Sequence, residues 1–281
     1  MKSNFKNKKD YMFYENIQDL VQWLKSAPLM GGHAPDEYST MRESHDSFYG
    51  KYTYTEALEK LEHGDYELAD KIEKLPEQTM LTQKVMQSFK NDVYGFMPNV
   101  PYAIMGLPNS MINIRQHRVK GNNKIIDLVL EADASCGVSA EDYAKVAKTF
   151  LDVVDALEKQ GYRLNLYWAL NTDFDCNRSK CCWIMKLKDS TEPFNKYKCA
   201  FPLGSVSMFR RIGFRLIETL PSGNAIKDQQ CGYGRPGRTP EQMIREGLKL
   251  VNIEPKNLCI FSVKDYIDVD SETILNMIKG E

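Results

Sequence analysis

The C-terminal part of the chain alternates between two hydrophobic patterns. Short apolar runs predict buried strands at residues 124–130, 162–170, 183–188 and 258–263. Between them, apolar residues recur at helical spacing and predict helices at residues 139–161 and 206–219, with others starting at Thr239 and Ser271. A strand, a long helix and a second strand form a βαβ unit, which makes the two strands parallel. We therefore predict an α/β domain with an open, mostly parallel, doubly wound sheet over residues 109–281.

The N-terminal part has a mainly helical pattern. A stripe of apolar residues predicts the first helix, and Thr53 and Glu56 have the spacing of a capping box that begins the second helix. The predicted helices lie at residues 15–25, 53–64, 66–75 and 78–92. Prolines and glycines between Tyr94 and Pro108 exclude a regular helix and indicate a connector. We predict that residues 1–108 form a mainly helical lobe with this connector at its end.

Composition excludes several classes of protein. The 37 basic and 38 acidic residues give a net charge of −1, so nothing attracts the chain as a whole to nucleic acid or to anionic membranes. No apolar stretch has the length of a signal peptide core or a membrane span. The seven cysteines lack the spacing of a disulfide framework and fit reduced thiols. We expect a cytoplasmic protein that neither enters a membrane nor binds nucleic acid.

Five separated blocks of sequence resemble an uncharacterised family of bacteriophage and prophage proteins, known only as a domain of unknown function. The blocks are Ser47–Lys51 with Thr55–Leu58 and Gly64; Pro98–Pro101 with Gly106–Pro108; Asp133–Ser139; Leu157, Glu158 and Gly161; and Met208–Arg211 with Phe214 and Glu218. The blocks keep the order and spacing of the family and together extend over most of the chain. The resemblance implies a phage origin, hence the cytoplasm of a bacterial host, and it implies no reaction.

The C-terminal part also resembles a divergent von Willebrand factor A-type domain. That fold holds a metal ion at the end of its first strand with an Asp-x-Ser-x-Ser pattern, and the corresponding residues here are Glu131, Asp133 and Ser135. Divalent ions such as Mg²⁺ prefer oxygen ligands, and alternate residues at a strand end can point into one crevice. The resemblance implies a divalent metal site. The alternative is a polar strand end that binds loop amides.

Four arginines are candidate contacts for an acidic partner. Arg210 and Arg211 lie on a predicted helix, where they can instead form a solvated or salt-bridged face. Arg235 and Arg238 lie on a glycine-rich loop. Its glycines at positions 232, 234 and 237 fit a nucleotide-binding pattern, but no predicted strand leads into them, which favours a flexible loop.

Other chemistry has weaker support in the sequence. Cysteines at positions 176, 181, 182 and 199, near Asp173 and Asp175, suggest zinc, but adjacent cysteines rarely bind one ion, which favours buried thiols. The four histidines are scattered, and the chain has no nucleophile elbow or Walker loop.

Two functions follow from these patterns. The first is a phage-encoded, non-enzymatic protein that binds another protein. It would act as an adaptor for a phage assembly or ATPase system, or as an inhibitor of a host defence factor. The sequence also allows the chain to form a homo-oligomer. The alternative is a divalent-metal-dependent hydrolase or nuclease that uses Glu131 and Asp133 with a further carboxylate, such as Asp173 or Asp189.

Overall fold

A computed structural model describes the chain at residues 2–6, 9–27, 47–71, 85–118, 125–135, 137–174, 179–219, 236–255 and 257–279. The chain divides into two compact units. The large unit comprises residues 1–79 and 125–281, and the small unit comprises residues 80–124. This division differs from the expected boundary at residue 108, because the first strands of the chain pair in the same sheet as the C-terminal strands.

The secondary structure follows in chain order. The strands are β1 (Lys2–Lys6), β2 (Lys9–Tyr14), β3 (Val85–Asp92), β4 (Met97–Pro98), β5 (Met111–Arg118), β6 (Ile125–Glu131), β7 (Arg163–Phe174), β8 (Ser179–Lys188) and β9 (Leu258–Ser262). The helices are α1 (Ile17–Ser26), α2 (Tyr54–His63), α3 (Tyr66–Lys71), α4 (Val100–Ile104), α5 (Ala140–Lys159), α6 (Lys196–Gly204), α7 (Phe214–Glu218), α8 (Pro240–Lys249) and α9 (Ser271–Lys279). A 3-10 turn (Ser47–Tyr49) precedes α2, and a π-helical segment (Met208–Gly213) runs into α7.

The main sheet of the large unit has the strand order β1-β2-β8-β7-β6-β9 among the described residues. Three of its five strand pairings are parallel, namely β2 with β8, β6 with β7, and β6 with β9. The α/β class and the mostly parallel sheet are confirmed. The four strands expected from the apolar runs lie side by side, and α5 connects the parallel pair β6 and β7, as the βαβ pattern predicts.

Helices cover both faces of the main sheet. One face, with Leu130, Trp168 and Trp183 at its centre, packs against a core that α1, α2, α5, α6 and α9 share. The opposite face, which includes Val129 and Ile184, packs against α8. The burial of these apolar side chains is the main favourable contribution to folding. A Cβ at Gly247 of α8 would lie 2.7 Å from Ile184 Cδ1, so the glycine allows the helix to lie close to the sheet.

The local signals of the helical segments also appear in the structure. Thr53 and Glu56 form both hydrogen bonds of a capping box at α2, and Ser139 caps α5 by accepting from the backbone of Asp142.

Among the described residues, no helix combines the length and the apolar character that crossing a membrane requires.

The prediction of a helix over residues 78–92 is wrong for residues 85–92. These residues form β3, which pairs with β5 along its whole length in the three-stranded sheet β3-β5-β4 of the small unit. Pairing with another strand overrides a weak local helical pattern. The mainly helical lobe at residues 1–108 is not confirmed, since β1 and β2 belong to the main sheet and β3, β4 and β5 to the small one.

Candidate functional site

The carboxyl ends of three parallel strands meet at one edge of the main sheet. β6 lies between β7 and β9, and its last residue, Glu131, is in register with Ala169 of β7 and Ser262 of β9. In parallel α/β sheets this edge is where ligands usually bind. The main candidate site of the large unit therefore has to be sought around Glu131.

Polar side chains from all three strands are buried at this edge. Glu131 and Asp133 are both 0% exposed, and Asn171 and Ser262 are almost completely buried. Asn171 Nδ2 donates to Glu131 Oε1 at 3.2 Å, and the backbone N–H of Gly237 donates to Asp133 Oδ2 at 3.3 Å. We call Glu131, Asp133, Asn171 and Ser262 the acidic cluster.

Each residue of the acidic cluster has one buried oxygen that makes no hydrogen bond of ordinary geometry. These atoms are Glu131 Oε2, Asp133 Oδ1, Asn171 Oδ1 and Ser262 Oγ. Buried polar atoms normally have partners, since an unpaired one costs about 1–3 kcal/mol, and more when it is charged. Glu131 also has the side chains of Ser262 and Asp133 as hydrogen-bonding neighbours, so a proton shared within the acidic cluster can satisfy these oxygens.

The two carboxyl groups disfavour each other's ionised form. Burial raises the pKa of Asp133 well above its usual range, and the neighbouring charge of Glu131 adds to that shift. Burial likewise raises the pKa of Glu131, while Lys264 and the nearby hydroxyl of Ser262 oppose the shift. Two carboxylates this close cannot both be charged in a dry site unless a positive charge compensates them.

Ser135 does not share the buried position of the other two residues expected at the metal site. Its side chain is exposed, whereas Glu131 and Asp133 are fully buried. The backbone carbonyl of Ser135 accepts a hydrogen bond from Arg210 at 3.2 Å. Asn171 and Ser262 take the places beside the carboxyl groups instead. The sequence did not reveal them, because only the sheet register brings residues of β7 and β9 next to β6.

The two further carboxylates suggested for catalysis lie at opposite edges of the main sheet. β8 is antiparallel to β7, with Lys188 paired to Leu166 near the start of β7, so Asp189 follows β8 at the edge away from Glu131. Asp173 lies near the carboxyl end of β7, and its Oδ2 accepts the backbone N–H of Arg238 at 3.0 Å. Asp189 therefore cannot join the acidic cluster.

Residues 236–239 lie against this edge and lead into α8. The N–H of Gly237 points to both Asp133 Oδ2 and the carbonyl of Asn171, and Pro236 forms a β-bridge with Thr172. A Cβ at Gly237 would lie 3.0 Å from Asn171 Cβ, so a larger residue would push the loop outward. The other two glycines of the nucleotide-binding pattern, Gly232 and Gly234, lie outside the described residues.

Arg210 and Arg211 are internal residues, which corrects their expected role as partner contacts. They are 3% and 0% exposed. Arg210 donates to the carbonyls of Phe48 (2.8 Å) and Val138 (2.7 Å). Arg211 donates to the carbonyl of Tyr52 at 3.2 Å and stacks on the ring of Tyr49, 4.1 Å from its centroid. Both side chains join the loop before α2 to the π-helical segment, and buried donors with such partners stabilise the fold.

The second pair of arginines has a different position. Arg238 is exposed and lines a surface groove of about 700 Å³ beside the start of α8. Arg235 lies outside the described residues. The expected partner contact at Arg238 stays a prediction, and the groove also contains Glu241 and Glu246, so its charge is mixed.

The cysteines do not form a metal centre in the described part of the chain. Cys181, Cys182 and Cys199 are buried free thiols, and no three His, Cys, Asp or Glu side chains among the described residues converge in a way that could hold a metal ion. Burial and then the charges of Glu131 and Asp133 raise the pKa of Cys182, which makes it a poor nucleophile. Cys176 and Asp175 lie outside the described residues.

The small unit exposes a large number of apolar side chains. Nine large apolar residues between positions 89 and 107 are exposed: Phe89, Val93, Tyr94, Phe96, Met97, Val100, Ile104, Met105 and Leu107. We call them the apolar surface. The stretch Val93–Ile114 contains no acidic, basic or histidine residue. This absence of charge is the signal in the sequence that could have revealed the apolar surface.

These features define an α/β protein with a mostly parallel sheet and a buried acidic cluster at the carboxyl edge of its strands. The family model of a domain of unknown function, DUF7192, matches residues 5–275, so the chain belongs to that family. No curated protein and no solved structure matches the chain.

Proposed function

We propose that this protein acts by binding another protein through the apolar surface of its small unit. The observation that carries the proposal is the exposure of nine large apolar side chains within one short segment. Phe89, Tyr94 and Phe96 are 60–69% exposed, so these three rings alone leave roughly 400 Å² in water. Exposed apolar area concentrated in one segment is common where a protein binds another molecule.

The strand register places two of these side chains, Phe89 and Met97, on one face of the small sheet together with the half-buried Ile112. Ile112 of β5 is opposite Asn91 of β3 on one side and opposite Met97 of β4 on the other. Phe89 lies two residues before Asn91, so Phe89, Ile112 and Met97 share a face. Burial of this face by a partner contributes about 25 cal/mol per Å² of apolar area, before the costs of association.

The charge pattern defines the chemistry of the partner. Because Val93–Ile114 carries no charge, opposite charges cannot steer a partner to this segment or pair with it. The partner must therefore offer an apolar, largely uncharged protein surface, such as a hydrophobic groove or the apolar face of a helix.

The biological setting belongs to the same proposal. We infer a phage-encoded adaptor for an assembly or ATPase system, or an inhibitor of a host defence factor, that acts in the bacterial cytoplasm. The sequence blocks that resemble phage proteins support the origin. The β6–α5–β7 unit supports a von Willebrand A-like arrangement, and such domains often recognise proteins.

Metal-dependent hydrolysis at Glu131 and Asp133 receives less support from the geometry. A hydrolytic metal centre needs an open position for water and substrate. Both carboxyl side chains are completely buried, and the backbone N–H of Gly237 donates to Asp133. Protein binding through the apolar surface is therefore the function that the described residues support best.

Site-specific photocrosslinking tests the proposal. A photoreactive phenylalanine analogue replaces Phe96 in the full chain, which is produced in its natural host, with the analogue at Met277 of α9 as a control. Met277 is also an exposed apolar residue, but it belongs to the large unit. We expect one discrete adduct with a second protein from position 96, its loss when Ile104→Asp is added, and no such adduct from position 277.

Two outcomes contradict the proposal. The first is an adduct pattern that is the same from both positions or is unaffected by Ile104→Asp. The second is an adduct of twice the 32.3 kDa chain mass, which would show that a second copy of the chain covers the apolar surface.

A further inference from the structure

The two units of the chain carry net charges of opposite sign. The small unit, residues 80–124, contains six lysines and arginines and one acidic residue, whereas the large unit contains 31 lysines and arginines and 37 acidic residues. The small unit therefore has a net charge of +5 and the large unit one of −6. Charges that only keep a protein soluble can have either sign, so an excess of one sign within this short unit needs another reason.

The basic residues of the small unit lie on both sides of its uncharged stretch, Val93–Ile114. Two of them precede the stretch and four follow it: Lys84 and Lys90, then Arg115, Arg118, Lys120 and Lys124. Strand pairing brings the two flanks together, because β3 pairs with β5 in an antiparallel ladder along its whole length. The basic flanks and the uncharged stretch therefore belong to one folded element.

The charge is distributed unevenly along this ladder. Next to the uncharged stretch the ladder has the pair Asp92 and Met111, and at its far end it has the pair Val85 and Arg118. Arg115 lies in the same far half, which we call the basic end of the ladder. Eight paired residues extend over roughly 25 Å, so a surface of ordinary interface size can contact both ends.

We propose that the protein that covers the apolar surface carries acidic residues at the edge of its own apolar patch, and that these residues face the basic end of the ladder. The inference rests on the proposed function and defines the chemistry of that partner more closely. Protein interfaces combine an apolar centre with a polar rim, and charges in the rim mainly raise the rate of association. The apolar surface supplies such a centre, and Arg115 and Arg118 supply one side of such a rim.

The charge of the large unit favours a protein as the source of the acidic groups. A phosphate-rich surface, such as an anionic membrane or a nucleic acid, would attract the small unit but repel the large unit of the same chain. A protein can present a few carboxylates at one edge of an apolar patch without a field of that extent. The observations therefore favour an acidic protein rim over a phosphate surface.

Photocrosslinking from position 96 in lysate of the natural host tests the inference. At about 0.05 M salt, where charges act over roughly 10 Å or more, Arg115→Glu with Arg118→Glu should lower the adduct yield about 10-fold. Replacing both arginines by Gln should give an intermediate yield, and replacing both by Lys should keep the adduct. At about 0.5 M salt the yield from the unmodified chain should fall towards that of the Glu variant, since salt screens exposed charges.

The matched control is Lys148→Glu with Lys249→Glu. Both lysines are exposed and belong to the large unit, so this variant changes the net charge by the same amount at a different place. Its adduct yield should equal that of the unmodified chain. A loss as large as that of the arginine variant would show that only the total charge matters, and the inference would be overturned.

The remaining outcomes separate this inference from the proposed function. If the adduct ignores the arginine changes but still disappears with Ile104→Asp, protein binding stands and the acidic rim is refuted. If the unmodified chain gives no adduct, protein binding itself fails and the inference fails with it. Arginine-dependent binding to phosphatidylserine vesicles or to a single-stranded oligonucleotide, with no protein adduct, would assign the basic end to a phosphate surface and overturn both.

Discussion

The two units of this protein break the usual rule of burial in opposite ways. The large unit buries charged side chains, among them Arg211, Lys188 and Glu131, whereas the small unit exposes Phe96 and Ile104. Folded proteins usually keep charge outside and cluster apolar groups inside. The two exceptions differ in chemistry: the large unit surrounds its buried charges with polar partners, whereas the small unit leaves large apolar side chains in water.

Internal partners surround the charges that the large unit buries. Lys188 forms an ion pair with Glu158 at 2.8 Å and donates to two backbone carbonyls, so the fold satisfies its charge. Arg210 and Arg211 are satisfied in the same way by carbonyls and aromatic rings. The carboxyl group of Glu131 likewise has Asn171, Ser262 and Asp133 beside it. The buried charges of the large unit are therefore explained by contacts within the fold.

The largest expected effect follows from removing a satisfied buried charge. Arg211→Met should lower the free energy of unfolding by about 2–4 kcal/mol, because the Tyr52 carbonyl loses its donor and Tyr49 loses the stacked guanidinium. Denaturant unfolding followed by tryptophan fluorescence measures it, since Trp23, Trp168 and Trp183 all lie in the large unit.

Arg245→Met is the control for this measurement. Arg245 forms an ion pair with Glu241 one helical turn away at the surface of α8, at 2.8 Å. Such a pair contributes at most about 0.5 kcal/mol. Equal losses for the two variants would mean that the contacts of Arg211 with Tyr52 and Tyr49 do not stabilise the fold.

A second prediction concerns the contact between α8 and β2. Glu246 accepts hydrogen bonds from the hydroxyl of Tyr11 and from Lys9 Nζ, and these partners, Tyr11 first, lower the pKa of Glu246 to about 2. A carboxylate with a lowered folded-state pKa contributes stability above its ordinary value near 4.5 and loses it as the pH falls towards 2. Glu246→Gln should therefore lower Tm at pH 7.

The pH profile makes this second test specific. The difference in Tm between Glu246→Gln and the unmodified chain should shrink steadily from pH 5 to pH 3. Glu241→Gln, on the same helix, should show a smaller difference at pH 7, because its partner Arg245 is exposed. A Glu246 difference that stays constant down to pH 3 would rule out the ionised carboxylate as the cause.

The comparison of the units also shows what the sequence could predict. Local signals located α1, α2, α5 and the four main strands, because periodicity and capping depend on neighbouring residues. These local signals could not show which residues lie beside Glu131. Asn171 and Ser262 lie beside Glu131 only because of the register of β7 and β9. The sequence pattern predicts Arg210 at the surface, because it does not show the loop that buries this side chain.

The smallest expected effect on the free energy of unfolding comes from the apolar surface. A large apolar residue there should contribute almost nothing to stability, although the same residue type stabilises a core. Ile104 is 81% exposed, so Ile104→Ala removes no packed contact and should change the free energy of unfolding by less than about 0.5 kcal/mol. Ile244→Ala in α8, at 0% exposure, should cost about 2–5 kcal/mol. Circular dichroism during denaturant unfolding covers both units and compares the two variants directly. A loss above 1 kcal/mol for Ile104→Ala would show that the chain itself packs against this side chain, and the apolar surface would then no longer be available to a partner.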